Sequence, residues 1–404
     1  MKRGFLNTKK AARSAVRHAP DDQRDEVQPG QQNLPVGNVE TAASEHRAPG
    51  VKHVELGSGK TDDLLGDACI FTAIPNVKPG TTLAEYPDNW TECIFLDPKL
   101  KHVILNTPNF PTCISKVPIP RQRITVTPSM GLGVFATCDL KMNDLILVER
   151  PLVILPNALS APIDFSGGTS VEQQQLAMLM KYEKALEVMV GRMIPENRAA
   201  LMSLENVHKK NGSGSIFGIL RTNGFGISAL SEDEASPVTY SAVFDKLSRL
   251  NHSCAPNGVV KFNVSSFSSS LRAVRDIKKG EQIFISYCEA QVGTAARHKE
   301  LAAYGFECVC PRCTDPASDA LYQRIVKSTM EPAGPLTLPA LLAESLSWMK
   351  KIEAAGLQAL PEYGTHMIVA WRAEAALGRM DEFERYQRMW KDWYEVVNGK
   401  PHGG

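Results

Sequence analysis

Short runs in the middle of the chain alternate apolar and polar residues, which is the pattern of β-strands that bury one face. Turn residues such as Gly131-Leu132-Gly133 and Lys278-Lys279-Gly280 separate the runs. The pattern therefore predicts a mainly β region joined by tight turns. The predicted strands lie at residues 124–126, 134–135, 145–148, 258–264, 270–274 and 282–286.

A spacing of three and four residues between apolar side chains predicts amphipathic helices in two other parts of the chain. One part runs from Val171 to Met193 and would be a helical insert in the β region. The other follows Pro316 and extends to Trp393, where two or three antiparallel helices would bury the apolar faces. The chain thus combines a β region with helices inside it and after it.

The N-terminal part of the chain offers little apolar surface for a core. Residues 28–59 are rich in Pro, Gly, Asn, Gln and Ser, so we expect disorder there. Residues 1–20 carry basic side chains and no acid, which is typical of a mitochondrial presequence, of a nuclear import signal or of a solvated tail. Prolines recur from Pro75 to Pro120, and they predict a leader whose regular elements are interrupted.

Overall charge and hydropathy exclude several function classes. The 404 residues include 45 Lys and Arg against 44 Asp and Glu, so a net charge of +1 draws the chain neither to nucleic acid nor to an anionic membrane. No uninterrupted apolar run approaches the ~18 residues that a membrane-spanning helix needs, so we expect a soluble protein. The nine cysteines are scattered and odd in number, which argues against a secreted disulfide framework and for a reducing compartment.

Three of the cysteines, Cys308, Cys310 and Cys313, lie within six residues. Neighbours this close would strain a disulfide, whereas their thiolates can bind one Zn²⁺ if the chain reverses. A tetrahedral site needs a fourth ligand, and Cys254 is the candidate because no further Cys or His follows within ten residues of Cys313. Four thiolates leave no position open for water, so this zinc would be structural. The alternative is a group of surface thiols without metal.

Two polar segments are candidate ligand sites. Residues 131–136 match the G-x-G-x-x-A form of a dinucleotide fingerprint, but turn residues follow where such a site requires a helix. The glycines would instead form a tight hairpin, with or without a bound ligand. Residues 251–257 contain an Asn-His pair that could hold a polar ligand, or they form a self-capped turn stopped by Pro256.

Four motifs, in this order, make the chain similar to the SET-domain protein lysine methyltransferases, and within them to the SET- and MYND-type branch and its fungal relatives. The motifs are residues 131–136 (GLGVFA), 250–257 (LNHSCAPN), 280–287 (GEQIFISY) and 304–313 (YGFECVCPRC). The resemblance implies an α+β fold: a mainly β SET domain with a helical insert, a post-SET zinc site and a C-terminal helical region of tetratricopeptide-like type. The segments are a disordered tail (1–66), a Pro-rich leader (67–122), the SET domain (123–292) with its insert (159–211), the post-SET segment (293–316) and the helical region (317–398).

The resemblance also implies an enzyme that methylates a lysine side chain of a protein, with S-adenosylmethionine as methyl donor and a structural zinc ion. The implied catalytic residues are Tyr287, Phe225 and Tyr304. The implied contacts of the cofactor are Gly131, Leu132, Gly133, Asn223, Asn251, His252 and Phe306. The implied zinc ligands are Cys254, Cys308, Cys310 and Cys313.

The chain departs from this branch in one respect. Residues 152–216 contain no cysteine, so the MYND finger is absent, and any function of that finger is not transferred. The alternative function is a catalytically silent SET scaffold or protein-interaction module. Asn251, His252 and Tyr287 occur together, which favours the enzyme because a scaffold needs none of them.

The resemblance further implies a protein partner, which is a histone at chromatin or a non-histone substrate. We expect a monomer that contacts no membrane and does not bind nucleic acid directly. A zinc-ribbon nucleic-acid binder is disfavoured because only Arg297, His298, Lys299 and Arg312 supply basic groups near the cysteines. The expected compartment is the nucleus, the cytoplasm or both, and mitochondrial targeting by the basic N-terminus is the lesser alternative.

Overall fold

The computed structural model describes residues 51–55, 61–65, 69–77, 80–157, 170–209, 213–230, 239–330 and 337–399. Within these ranges the strands are β1 (Val51–Glu55), β2 (Thr61–Leu65), β3 (Cys69–Ile74), β4 (Thr91–Phe95), β5 (Gln122–Val126), β6 (Leu132–Ala136), β7 (Leu145–Glu149), β8 (Val153–Pro156), β9 (Phe225–Ile227), β10 (Tyr240–Val243), β11 (Asn251–His252), β12 (Gly258–Asn263), β13 (Ser268–Ala273) and β14 (Gln282–Ile285). The helices are α1 (Pro98–Leu105), α2 (Val171–Arg192), α3 (Pro195–Met202), α4 (Ser215–Asn223), α5 (Thr294–Leu301), α6 (Pro311–Thr314), α7 (Ser318–Met330), α8 (Leu338–Ala354), α9 (Pro361–Ala376) and α10 (Met380–Asn398). Residues 1–50 of the predicted tail, and 159–169 and 210–211 of the predicted insert, lie outside the described residues.

The strands form three sheets. A seven-stranded sheet has the order β1-β2-β3-β4-β8-β10-β9, a four-stranded sheet has β11-β14-β6-β5, and a three-stranded sheet has β12-β13-β7. Each predicted alternating run corresponds to a strand, and helices occupy 171–192 and the region after residue 316, as predicted. The predicted α+β arrangement, a mainly β region with a helical insert and a helical C-terminal region, is therefore confirmed.

The leader contributes more regular structure than its prolines predict. β4 pairs with β3 and, in parallel, with β8 through Glu92 and Cys93. Every residue of β3 and β4 is buried, so neither strand shows the alternation that marks a half-exposed strand. Residues 51–55 and 61–65, assigned from the sequence to the disordered tail, form β1 and β2 and extend the same sheet.

The helical insert packs on the seven-stranded sheet. Ser170 and Gln173 form a reciprocal capping box at the start of α2, which satisfies backbone N–H groups that have no partner within the helix. Leu186 and Met189 on the apolar face of α2 are fully buried in one cluster with Phe71 of β3. The helix that the apolar spacing predicts is thus held by burial of one face against the sheet.

A buried carboxylate of the insert fixes the start of α4. Glu183 of α2 is fully buried and accepts hydrogen bonds from the backbone N–H groups of Ile216 (2.7 Å) and Phe217 (2.9 Å). A negative charge at the free N–H groups of a helix N-terminus is stabilising. Since α4 ends at Asn223, just before Phe225 of β9, this contact positions a segment that the sequence assigns to the functional site.

A second carboxylate holds the turn that precedes β11. Glu149, at the end of β7, accepts the backbone N–H groups of Asp245 (3.1 Å), Lys246 (3.0 Å) and Leu247 (3.0 Å). Burial raises the pKa of Glu149 to about 7, while the N–H donors act in the opposite direction because they favour the carboxylate. A short 3₁₀ turn, Leu247–Arg249, begins at the last of these donors and leads into β11.

The C-terminal helices have a core of their own. The ring of Trp393 packs on Gly364, at which a Cβ atom would collide with it, and the Trp393 Nε1–H donates to the carbonyl of Gln358 at 2.6 Å. Arg272 of β13 pairs with Glu395 of α10 at 3.4 Å and joins this core to the three-stranded sheet. In the part of the chain that the structure describes, no helix combines the length and apolar character needed to cross a membrane.

Replacing Glu149 by alanine tests the support of the turn before β11. At about pH 8 the carboxylate is ionised, and its loss leaves backbone N–H groups without their partner. We expect the free energy of unfolding to fall by about 1–3 kcal/mol, as for an unsatisfied buried donor, in urea unfolding. Asp139→Ala is the matched control, since Asp139 accepts the Lys279 N–H at 2.9 Å on the exposed surface, and it should change stability little. Equal losses for the two variants would contradict the assignment.

Candidate functional site

The turn between β5 and β6 is the tight hairpin that its glycines predict. Val126 pairs with Leu132, and Gly131 adopts a φ of +66°, a left-handed conformation that glycine tolerates best. A Cβ atom at Gly133 would lie only 3.1 Å from Asn251 Nδ2 and would also collide with the side chain of Gln282. Glycine at 133 therefore lets two side-chain amides approach the backbone of the turn.

The pairing of β11 with β14 brings the Asn-His pair to this turn. Asn251 lies opposite Phe284 in a parallel pair, and its Nδ2 donates to the carbonyl of Leu132 at 3.0 Å. β14 also pairs with β6, so the three strands form one continuous surface. The chain after β14 reaches Tyr287, whose backbone N–H donates to Nδ1 of His252 at 2.9 Å.

His252 links this strand surface to a group of thiols. Because its Nδ1 accepts a hydrogen bond from Tyr287, the proton of a neutral imidazole must sit on Nε2. Nε2 lies 3.2 Å from Sγ of Cys254, so His252 donates to that sulfur. The imidazole is 6% exposed, and both of its nitrogens are occupied by these two contacts. The orientation of His252 is thereby fixed from both sides.

Tyr287, Tyr304 and Phe306 form an aromatic cluster beside His252. The ring centroids of Tyr287 and Tyr304 are 5.0 Å apart, and Phe306 lies 6.4 Å from each of them. Tyr287 and Tyr304 are 7% and 8% exposed, whereas Phe306 is 40% exposed. The hydroxyl of Tyr287 donates to the carbonyl of Leu250. The cluster therefore runs from a nearly dry interior to an exposed ring, an environment that disfavours a cationic amine at its inner end.

Asn223 and Phe225, two further predicted site residues, lie in the interior next to this region. Phe225 is fully buried, and its ring packs edge-on against Phe244 at 5.5 Å. The amide of Asn223 donates to the carbonyls of Glu205 (2.7 Å) and Ile219 (2.8 Å). The contacts predicted for these two residues, with the cofactor and with the lysine channel, stay predictions.

The four predicted metal-ligating cysteines lie together and form a thiol cluster: Cys254, Cys308, Cys310 and Cys313, whose sulfurs are all within 4.8 Å of one another. The sulfur of Cys254 is 3.9 Å from that of Cys308 and 3.5 Å from that of Cys313. Tetrahedral zinc with bonds of ~2.3 Å places its sulfurs about 3.8 Å apart. The thiol cluster therefore has the spacing that zinc requires, and it could hold one ion.

The ionisation of these thiols is mutually dependent. Hydrogen bonds to neighbouring thiols, that with Cys288 first, raise the pKa of Cys254, whereas a hydrogen bond with Cys254 lowers the pKa of Cys310. Thiols this close resist ionising together because the thiolates repel. A divalent cation removes that repulsion, which is why metal binding and loss of thiol protons are coupled.

Two buried arginines flank the thiol cluster. Arg297 of α5 has no exposed surface, and its Nη2 lies 3.7 Å from Sγ of Cys313. Arg312 of α6 donates from Nη1 to the carbonyl of Cys254 at 3.1 Å and lies over the ring of Tyr322. Zn²⁺ with four thiolates carries a net charge of −2, and two guanidinium groups offset it. From the sequence alone, the basic residues near the cysteines suggest a weakly basic surface. In the structure Arg297 and Arg312 are instead buried.

A sequence signal for one of these arginines exists. Arg297 stands four residues before the fully buried Leu301 in α5, and this spacing puts the two side chains on one helix face. No comparable local signal marks Glu149, Glu183 or Gln282. Each of them acts on a segment that is distant in the sequence.

The part of the chain that holds most of these site residues is similar to known proteins. Residues 131–288 match the SET domain family. Over 118 residues the chain is 35% identical to N-lysine methyltransferase SMYD2 of Homo sapiens and 33% identical to N-lysine methyltransferase SMYD2-B of Danio rerio, covering 29% of this chain and 26% of each relative. The chain thus matches about a quarter of the length of these relatives.

Similarity to solved structures is weaker. The structure of Rubisco LSMT bound to AdoMet is 13% identical, with a TM-score of 0.27, and the match covers 75% of this chain and 94% of that chain. At this level the likeness supports no conclusion about the site. The family match and the SMYD2 relatives confirm the resemblance that the four motifs predict: residues 131–288 of this chain match the SET domain family, and 118 residues are similar to the SMYD2 lysine methyltransferases.

Proposed function

We propose that this chain transfers a methyl group from S-adenosylmethionine to a lysine side chain of a protein, histone or non-histone. The main support for the proposal is that the glycine hairpin, β11 and the aromatic cluster all lie along one continuous surface. The SET domain match over residues 131–288 supports it, as does the similarity to proteins named N-lysine methyltransferase.

The residues around the glycine hairpin fit a polar cofactor. Gly133 lets the side-chain amide of Gln282 pack against the turn, and Nε2 of Gln282 is buried there without a hydrogen-bond partner among the described residues. Bound there, S-adenosylmethionine would supply a methyl group activated by its sulfonium. We propose that its contacts come from the hairpin and the residues around it, with the exposed ring of Phe306 available to stack on the adenine: Gly131, Leu132, Gly133, Asn223, Asn251, His252 and Phe306.

The aromatic cluster would prepare the lysine nucleophile. An exposed lysine has a pKa near 10.4, so keeping it neutral at pH 7 costs roughly 4.6 kcal/mol. Transfer of the ammonium between the rings of Tyr287 and Tyr304, and beside Phe225, removes its hydration and lowers its pKa. The remaining requirement is alignment of the nitrogen with the methyl carbon while water is excluded.

Tyr287 would orient the incoming nitrogen. Its hydroxyl proton is directed at the carbonyl of Leu250, so the oxygen is turned to accept a hydrogen bond from an amine N–H. An amine that donates to this oxygen keeps its own lone pair available for the methyl group. We propose this role for Tyr287, with Phe225 and Tyr304 forming the walls of the lysine channel.

The thiol cluster would serve as the anchor of the site through a structural zinc. Cys254 lies two residues after His252, and Cys308 lies two residues after Phe306. One ion shared by Cys254, Cys308, Cys310 and Cys313 would therefore fix the cofactor strand and the aromatic cluster relative to each other. The interaction is structural, since four thiolates leave no ligand position open.

Replacing Tyr287 by phenylalanine tests the catalytic proposal. We expect kcat for transfer of labelled methyl to a histone panel and cell extract to fall about 10- to 100-fold, because a hydrogen bond to the reacting nitrogen is lost. Calorimetry should show cofactor affinity within about threefold, since Tyr287 acts on the amine.

Tyr322→Phe is the matched control for this variant. The hydroxyl of Tyr322 also donates to a backbone carbonyl, that of Gln291, but it lies outside the aromatic cluster, so its loss should leave kcat unchanged. A wild-type chain that binds the cofactor and labels no protein would instead favour the silent scaffold.

Replacing Cys313 by serine tests the zinc proposal. Mass spectrometry of the purified wild type should find one zinc per chain, and the variant should lose most of it because one of four ligands is gone. We expect thermal unfolding of the variant at a clearly lower temperature, since binding to the native state stabilises it. Cys138→Ser, at an exposed cysteine outside the thiol cluster, should keep the metal. A metal-free wild type with native stability would contradict the proposal.

A further inference from the structure

A polar cavity lies between the three-stranded sheet and the end of α10, and it shares no residue with the proposed active site. Its volume is about 270 Å³, and residues 112–115, the sheet and the last turn of α10 form its walls. We refer to it as the C-terminal cavity.

The sheet face that lines this cavity is largely polar, and the end of α10 packs against part of it. Lys261 of β12 lies opposite Ser270 of β13, and Asn263 lies opposite Ser268, so these residues share one face of the pair. Ser268 is buried, Lys261 and Ser270 are half-buried, and Asn263 is exposed. Hydroxyl and amino groups therefore line a cavity that is partly open to solvent.

The charges of the C-terminal cavity do not balance. Arg272 is paired with Glu395 at 3.4 Å and also donates to the carbonyl of Asn143 at 2.7 Å. Lys261, the other cation of the cavity wall, forms no ion pair among the described residues. Burial lowers the pKa of Lys261, as it does for a cation that is partly removed from water without a counter-charge. The cavity wall therefore has an excess of one positive charge.

The position of Lys261 is fixed by α10. Gly399 ends that helix in a left-handed conformation, with a φ of +72°. A Cβ atom there would lie 3.0 Å from Cβ and 3.1 Å from Cγ of Lys261, so the glycine packs directly on the lysine stem. A lysine whose stem is held in this way loses less side-chain entropy when its ammonium binds a ligand.

We propose that the C-terminal cavity binds a small anion of the phosphate or phosphomonoester class. The ammonium of Lys261 supplies the charge, and the hydroxyl of Ser270 supplies a donor to the oxygens of the anion. Ser268 supplies a second donor when its oxygen accepts from the hydroxyl of Ser266, which lies 2.8 Å away. The volume exceeds that of phosphate alone, so a phosphate that carries a small organic group fits best. The site is separate from the methyl-transfer chemistry and does not depend on it.

Titration of the full chain with inorganic phosphate and with glycerol phosphate, at constant ionic strength set by chloride, tests this proposal. The thermal unfolding temperature should rise with each anion and saturate, because a ligand that binds only the native state stabilises it. Tighter binding of the ester would identify a phosphorylated metabolite as the source, and equal binding would identify free phosphate. Unfolding temperatures that do not depend on either anion would overturn the proposal.

Lys261→Met provides the variant, and Lys278→Met is its matched control. Lys261→Met should weaken phosphate binding at least tenfold. Without phosphate it should unfold at the same temperature as the wild type or at a higher one, because it removes a partly buried cation that lacks a partner. The control removes an exposed lysine that pairs with Asp139 at 3.0 Å outside the cavity, and it should bind phosphate normally. Undiminished phosphate binding by Lys261→Met would show that the cavity holds only water.

Discussion

The two hydrogen bonds of His252 are the contacts on which the site depends. One ring nitrogen accepts the backbone N–H of Tyr287, and the other faces the sulfur of Cys254. The first bond fixes the tautomer, and the tautomer makes the second bond possible. A side chain that the sequence motif suggests as a cofactor contact thus also joins the aromatic cluster to the thiol cluster. Any shift of the thiols is transmitted to the residues beside the proposed lysine channel.

Buried charges complete this arrangement from several parts of the chain. Glu183 and Glu149 hold the N-terminal turns of the segments that lead to Phe225 and to Asn251. Arg297 and Arg312 lie beside the thiol cluster, where a bound metal with four thiolates would carry excess negative charge. Buried charged groups are tolerated only where partners offset their loss of hydration. The insert, the sheets and the post-SET segment therefore depend on one another energetically.

Local patterns in the sequence were sufficient for part of the fold and for the thiol cluster. Alternation predicted β5, β6, β7, β12, β13 and β14 but not β8 to β11, and cysteine spacing predicted that Cys254 meets Cys308, Cys310 and Cys313. β3 and β4 escaped prediction because both of their faces are buried. The capping carboxylates escaped because their partners are distant in the chain. Arg312 escaped because a charged side chain in isolation predicts exposure, whereas the spacing of Arg297 to Leu301 is a local signal for burial.

If the thiol cluster sets the geometry of the cofactor site through His252, zinc binding and cofactor binding are coupled. The most direct measurement is calorimetry of S-adenosylmethionine binding to metal-stripped protein as zinc is added back, with circular dichroism confirming at each step that the chain is folded. Cofactor affinity should rise with zinc and stop rising at one ion per chain. Cofactor affinity that is the same without zinc as with it, in a folded chain, would show that the thiol cluster does not set the geometry of the cofactor site.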